Sequence, residues 1–181
     1  PFILLHFLIK RADLVITGSE IQAEFYERNY NKKIFNIVDP VNKVEFSGKK
    51  KIHFEKKPIK ILWEGTEDSV PQLNSFIIPL TELFKKYNFE IILFTDITPN
   101  SKAEKTFNLL NSKLKVNHIP WEKNKIDEVM LSADIAIAPI DISNYVNYAK
   151  PFNKLLVYWA YGLPTVFSDI PSYRGIYNQV K

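Results

Sequence analysis

The chain has no cysteine among its 181 residues. That excludes a disulfide framework and a thiolate metal site, but it does not fix the compartment, because reduced proteins can also lack Cys. A cytoplasmic address is the default, with the inner face of a membrane as its extension. Long apolar runs are missing too. The stretch from Pro1 to Ile9 carries His6 inside it and falls far short of the roughly 20 apolar residues that span a bilayer. Concentrated charge of one sign is also absent. A net charge of +4, spread over 24 basic and 20 acidic residues, favours an anionic ligand or surface and excludes the dense basic stripe of a nucleic-acid binder. Apolar content is plentiful: 46% hydrophobic and 14% aromatic residues supply one full core and part of another. The chain opens on Pro1 rather than Met, and its first ten residues read as the tail of a helix, so a piece of a longer protein is expected.

Segment Ala12 to Asn42 reads as strand, helix, strand, with Asp13 to Thr17 extended, Ser19 and Gln22 as a capping box, and Ile34 to Val38 extended. The basic stretch Phe46 to Pro58 has no clear period and reads as a connection between domains. From Ile59 the pattern becomes regular. Strands are predicted at Ile59 to Trp63, Phe89 to Phe94, Val116 to Ile119, Asp134 to Ala138 and Thr165 to Ser168. Helices are predicted from Ser69 to about Tyr87, near Ser101 to Asn111, around Ile126 to Ala133 and over Asn153 to Tyr161. Strict alternation marks a parallel sheet with helical crossovers. The fold class is therefore α/β: a Rossmann-like doubly wound parallel sheet with a small α/β appendage at the N-terminus. Ligand loops are expected at the carboxyl ends of the strands.

Two places carry chemistry. Trp63-Glu-Gly-Thr66 lies between a strand and a helix, where Gly65 lets backbone approach a ligand and free N–H groups favour an anion. It lacks the glycine spacing of a dinucleotide fingerprint and the Gly-Lys-Ser/Thr of a P-loop, and an ordinary turn holding a glycine reads equally well. The second is Ala149-Lys-Pro-Phe-Asn-Lys-Leu-Leu-Val-Tyr-Trp-Ala-Tyr-Gly-Leu-Pro164, with Asn153 as expected N-cap and Gly162 then Pro164 ending the helix. Lys154 falls in the first turn, where the helix dipole disfavours a cation by roughly 0.3 to 1 kcal/mol, and Lys150 lies just before it. Two lysines there suit a pyrophosphate leaving group; the bland alternative is that both reach into solvent.

At these residues a resemblance becomes specific. Asn153 to Val166, following Ser132-Ala-Asp-Ile-Ala-Ile-Ala-Pro139, resembles the carboxyl-terminal domain of the group-one retaining glycosyltransferases of the B-type fold. Trp63 to Thr66 matches the start of that domain. Ala12 to Ser19 and Ile37-Val-Asp-Pro-Val-Asn42 match the end of the family's amino-terminal domain. The resemblance implies residues 1–48 as the tail of an acceptor-binding domain with its linker, and 49–181 as a nucleotide-sugar-binding domain that stops before its closing elements. It further implies transfer of a hexose-like sugar from a nucleoside diphosphate, with retention and without a bound metal or other cofactor. The partner on the other side is a glycan or lipid-linked acceptor, and the resemblance suggests assembly of a bacterial surface polysaccharide. Gly65, Thr66, Lys150 and Lys154 would surround the diphosphate. The backbone of Ile119, Pro120 and Trp121 would face the base, with Asn153 and Val157 on the sugar and ribose side. The family's two glutamates, eight positions apart, would fall at Ala149 and Val157. Their replacement motivates an alternative, a non-catalytic sugar-nucleotide-binding or interaction domain. The isolated segment is expected to lack transferase activity.

No catalytic residue is assigned. His118 lies in a half-buried strand, where a lone His is more often structural; His6 and His53 are similar. Asp141 sits in a long loop at a strand's carboxyl end and either meets substrate or caps the loop. Tyr145 and Tyr148, with Asn144 and Asn147, either bind sugar by stacking or tie down the loop. No spacing of metal ligands occurs. The run Lys49 to Lys57 reads as a solvated linker, with peripheral attraction to a membrane surface as the minor alternative.

Overall fold

A computed structural model describes residues 2–41, 58–143 and 145–179. Except for Pro58, the connection predicted over Phe46 to Pro58 lies outside the described residues, as does Asn144. The chain forms two compact units: one from Pro1–Asn42, Ile140–Leu156 and Ser168–Lys181, the other from Lys43–Pro139 and Val157–Phe167.

The second unit is built on five parallel strands. In chain order they are β3 (Ile59–Glu64), β4 (Phe89–Phe94), β5 (Val116–Ile119), β6 (Ile135–Ala138) and β7 (Thr165–Phe167), arranged in space as β5-β4-β3-β6-β7. All five pair in parallel, as the alternation of elements predicts. β4 is buried along its whole length, so its unbroken apolar run matches a strand covered on both faces. On one face Ile61, Trp63, Ile91, Leu93 and Ile137 form a core with Val70, Leu73, Ile77 and Leu80. The intervening Leu62, Ile92 and Ala136 are equally buried.

The crossover after β3 departs from the sequence expectation. In place of one helix from Ser69 to about Tyr87 there is a 3-10 run over Glu67–Phe76, followed by α3 (Ile77–Phe84). The cause is proline. Pro79 has no N–H to donate to the carbonyl four residues back, so an α-helical ladder cannot pass through it, yet proline is tolerated in the first turn, where α3 places it. Pro71 weakens the preceding segment in the same way. Thr66, not Ser69, occupies the position before the 3-10 run. The later crossovers, α4 (Lys102–Asn111) and α5 (Ile126–Ser132), fall where the apolar period puts them.

The first unit begins with α1 (Phe2–Arg11), β1 (Leu14–Thr17), α2 (Glu20–Tyr30) and β2 (Lys33–Asn36). β1 and β2 pair in parallel, and Ser19 caps α2 as predicted, its hydroxyl accepting from the Gln22 N–H. Joined to this βαβ element are α6 (Tyr145–Tyr148), the start of α7 (Asn153–Ala160), and α8 (Pro171–Gln179). α6 lies inside the stretch predicted to be loop, and α8 has no counterpart among the predicted elements. Among the described residues, no helix is long and apolar enough to cross a membrane.

Leu62 is fully buried at the centre of β3. Leu62→Ala is expected to cost about 3 kcal/mol of unfolding free energy through lost burial and a residual cavity, read as a lower midpoint in urea with an unchanged slope.

Candidate functional site

The residues expected from sequence to bear on ligand binding fall into two sets, one in each unit. In the second unit the relevant edge is the carboxyl end of the sheet. The strand order runs outward from β3 in both directions, so the switch point lies between β3 and β6, where open parallel sheets bind ligands. Gly65 and Thr66 follow β3 at that point. The sequence reading expected free N–H groups in this loop, but the Gly65 N–H donates to the Phe94 carbonyl at 3.4 Å and prolongs the β3–β4 ladder. The Thr66 hydroxyl lies 3.2 Å from that of Ser69.

Glu67, which sequence reasoning passed over, binds the next loop: its carboxylate accepts from the Thr98 N–H at 2.6 Å and the Thr98 hydroxyl at 2.8 Å. These bonds hold the Glu67 carboxyl below its ordinary value. The β3 and β4 loops are thus clamped together. Ile119 closes β5, and its carbonyl accepts from the Thr95 N–H. Beyond Pro120, the Trp121 N–H donates to Asp96 at 3.2 Å, and its ring stacks on Phe94 while remaining 41% exposed. A half-exposed indole at this edge can stack on a flat ligand. His118 is explained without chemistry, since its Nε2 bonds the Thr95 carbonyl at 2.9 Å and its ring packs on Phe107.

α7 ends in this unit as the sequence predicts. Gly162 takes φ 69°, the Leu163 N–H reaches the Tyr158 carbonyl, and the Gly162 N–H reaches that of Trp159. This is the paired bonding of a Schellman cap. Tyr158 is fully buried and its hydroxyl accepts from the Glu64 N–H at 3.2 Å, tying α7 to the end of β3. The Tyr161 hydroxyl donates to Asp127. Burial, then that bond and the charge of Asp127, push the Tyr161 phenol up to about 12. Val157 opens this portion of α7.

Lys150, Lys154, Asn153 and Asp141 belong to the first unit. The Lys150 backbone is fixed at both ends: its N–H donates to Asn147 at 3.1 Å and its carbonyl accepts from the Ser172 hydroxyl at 2.6 Å. Burial holds its ammonium below the usual lysine value, an environment in which an anionic partner would be favoured. Asn153 is the first helical residue rather than the cap; the Phe152 carbonyl accepts the first bonds, and the Asn153 amide donates to Asp39. Asp141 closes a local turn, accepting from the Ser143 N–H and hydroxyl, and these bonds lower its pKa. Tyr145 packs on Phe25. Among the described residues no cluster of His, Asp and Glu is placed to hold a metal ion.

Among the solved structures that the chain resembles, three agree with one another. A variant of TarM from S. aureus, solved with Fondaparinux, alpha-GlcNAc-glycerol and UDP, superposes with a TM-score of 0.64 at 14% identity, over 92% of this chain and 32% of that one. TarM itself gives 0.63 at 13% identity, with the same coverage. The pneumococcal O-GlcNAc transferase GtfA, solved with UDP and GlcNAc, gives 0.58 at 12% identity, over 91% of this chain and 32% of that one. No protein-family model and no curated protein matches the chain. The chain thus has the α/β fold of B-type glycosyltransferase structures and spans 32% of the length of those it matches.

Two measurements check this geometry. Ser19→Ala removes both the α2 cap and the bond to the Ala149 carbonyl, and is expected to cost about 2 kcal/mol in denaturant unfolding. Because the Tyr161 phenol holds its proton more firmly when folded, its stabilising contribution is complete below the ordinary phenol value of about 10 and is lost as pH rises through about 12. Ultraviolet titration should show one tyrosine ionising late, and Tyr161→Phe should abolish that late step.

Proposed function

We propose that this chain is the donor-binding portion of a retaining glycosyltransferase, which in the intact protein transfers a sugar from a nucleoside diphosphate to a glycan or lipid-linked acceptor. The observation that carries the reading is the switch point between β3 and β6, with the Gly65-Thr66 loop at its mouth, in a fold held in common with structures solved with UDP. In this reading residues 49–181 bind the donor, and residues 1–48 belong to the acceptor side.

Lys150 and Lys154 neutralise the charge that builds on the diphosphate as the glycosidic bond breaks, together with the amino end of α7. Gly65 and Thr66 border the same diphosphate. The exposed Trp121 ring and the Ile119–Trp121 backbone face the base, while Asn153 and Val157 lie toward sugar and ribose. The reaction uses no metal and takes place in the cytoplasm, with the inner face of a membrane as its extension.

One observation favours a second reading, a non-catalytic sugar-nucleotide-binding domain. The two positions where related enzymes place glutamate hold Ala149 and Val157. Ala149 is buried, its side chain offers no acceptor, and its carbonyl is already engaged by the Ser19 hydroxyl.

Calorimetric titration of the 181-residue chain with UDP, GDP, ADP and CMP tests the donor reading. Saturable binding of one nucleotide is expected, weakened roughly 10- to 100-fold by Lys154→Ala through loss of a charge-assisted contact. Wild-type affinity in that variant would remove Lys154 from the site. Release of nucleoside diphosphate by the full-length protein with an acceptor separates enzyme from binder.

A further inference from the structure

Within the first unit, Lys150 also lines a cleft of about 230 Å³ whose walls come from the start of α2, the end of β2, the turn before α7, and α8. The size is below the roughly 300–1,000 Å³ of sites for drug-sized ligands, so the occupant is small. Its polar lining is mixed: Glu20, Asn36, Lys150 and Gln179 supply one carboxylate, one ammonium and two amides, beside the Tyr148 hydroxyl and the hydroxyls of Ser19 and Ser172, the last two already bonded to carbonyls. An anion would meet Glu20 in the first turn of α2, where that carboxylate already complements the helix dipole. A neutral polyol finds donors and acceptors together, and the Phe152 and Tyr148 rings on the same walls suit its C–H face.

The floor carries a second signal. Gly175 lies in the interior of α8 and lines the cleft, yet a Cβ built on it would meet nothing within 4 Å. Glycine inside a helix is destabilising relative to alanine, and no packing contact here demands it. A helical glycine facing open space gives a ligand direct approach to the backbone.

We propose that this cleft binds a single neutral sugar ring, seated against the Gly175 backbone and hydrogen-bonded by Asn36, Gln179 and Lys150. Resting on the glycosyltransferase reading, the ring is the terminal sugar of the acceptor.

The test is an NMR titration of the 181-residue chain with N-acetylglucosamine, with inorganic phosphate in parallel. Saturable shifts at Gly175, Asn36 and Gln179 with the sugar are expected, weakened at least tenfold by Gly175→Leu, with a melting temperature no lower than that of wild type. Asn36→Ala gives the same loss without touching α8, which keeps the test decisive if the leucine variant misfolds. Sugar binding unchanged in Asn36→Ala and in a folded Gly175→Leu, absence of shifts, or saturation by phosphate instead would overturn the proposal. Adding UDP separates the two readings. UDP bound with the cleft silent to sugar overturns only the acceptor site; sugar bound without UDP overturns the donor reading and leaves a carbohydrate site.

Discussion

The hydroxyl of Ser19 holds the first unit together. It accepts from the Gln22 N–H to start α2 and donates to the Ala149 carbonyl at 2.7 Å, a residue 130 positions away, with Ser19 itself buried. A single oxygen thereby satisfies a helix terminus and a loop carbonyl that would otherwise be unpaired, and an unpaired buried polar group costs more than a made bond gains. Gly18 makes the approach possible, since a Cβ there would lie 3.2 Å from the Pro151 side chain. The Lys150 backbone is bracketed by these contacts and by Ser172, which fixes the point from which its side chain departs.

The regular part of the fold was legible because its sequence signals are local. Buried parallel strands read as short apolar runs, and β4 and β5 begin and end where predicted. The end of α7 was legible for the same reason: Gly162 supplies the left-handed residue and Pro164 forbids continuation, and both Schellman bonds form. The 3-10 run after β3 was missed because the apolar spacing of Leu73, Phe76, Ile77 and Leu80 fits one continuous helix. Periodicity of side chains does not register that Pro79 interrupts the backbone ladder.

Other features were illegible in principle. Nothing local in Glu67 announces that it binds Thr98, 31 positions on, and nothing in Asn153 announces Asp39 rather than its own helix as partner. Ser, Asn and Asp choose between local caps and distant partners according to what folding brings near. Asp141 took the local option and Asn153 the distant one. The interleaved membership of the first unit, with Ile140–Leu156 and Ser168–Lys181 joining the N-terminal βαβ element, is likewise a tertiary result that strand and helix signals do not encode.

Charge gives the proposed donor site its particular character. Glutamates at positions 149 and 157 would have brought two negative charges beside Lys150 and Lys154; with Ala149 and Val157 there instead, the lysines keep a more positive field around the start of α7. Such a field strengthens attraction to a diphosphate while giving up the directional hydrogen bonds that a carboxylate makes to ribose hydroxyls. On the proposed donor reading, a nucleotide would then be held more by its charge than by its ribose. In that arrangement affinity is more sensitive to ionic strength than in a carboxylate-bearing site, because exposed Coulombic attraction is screened over about 10 Å at 0.1 M salt while stacking is not.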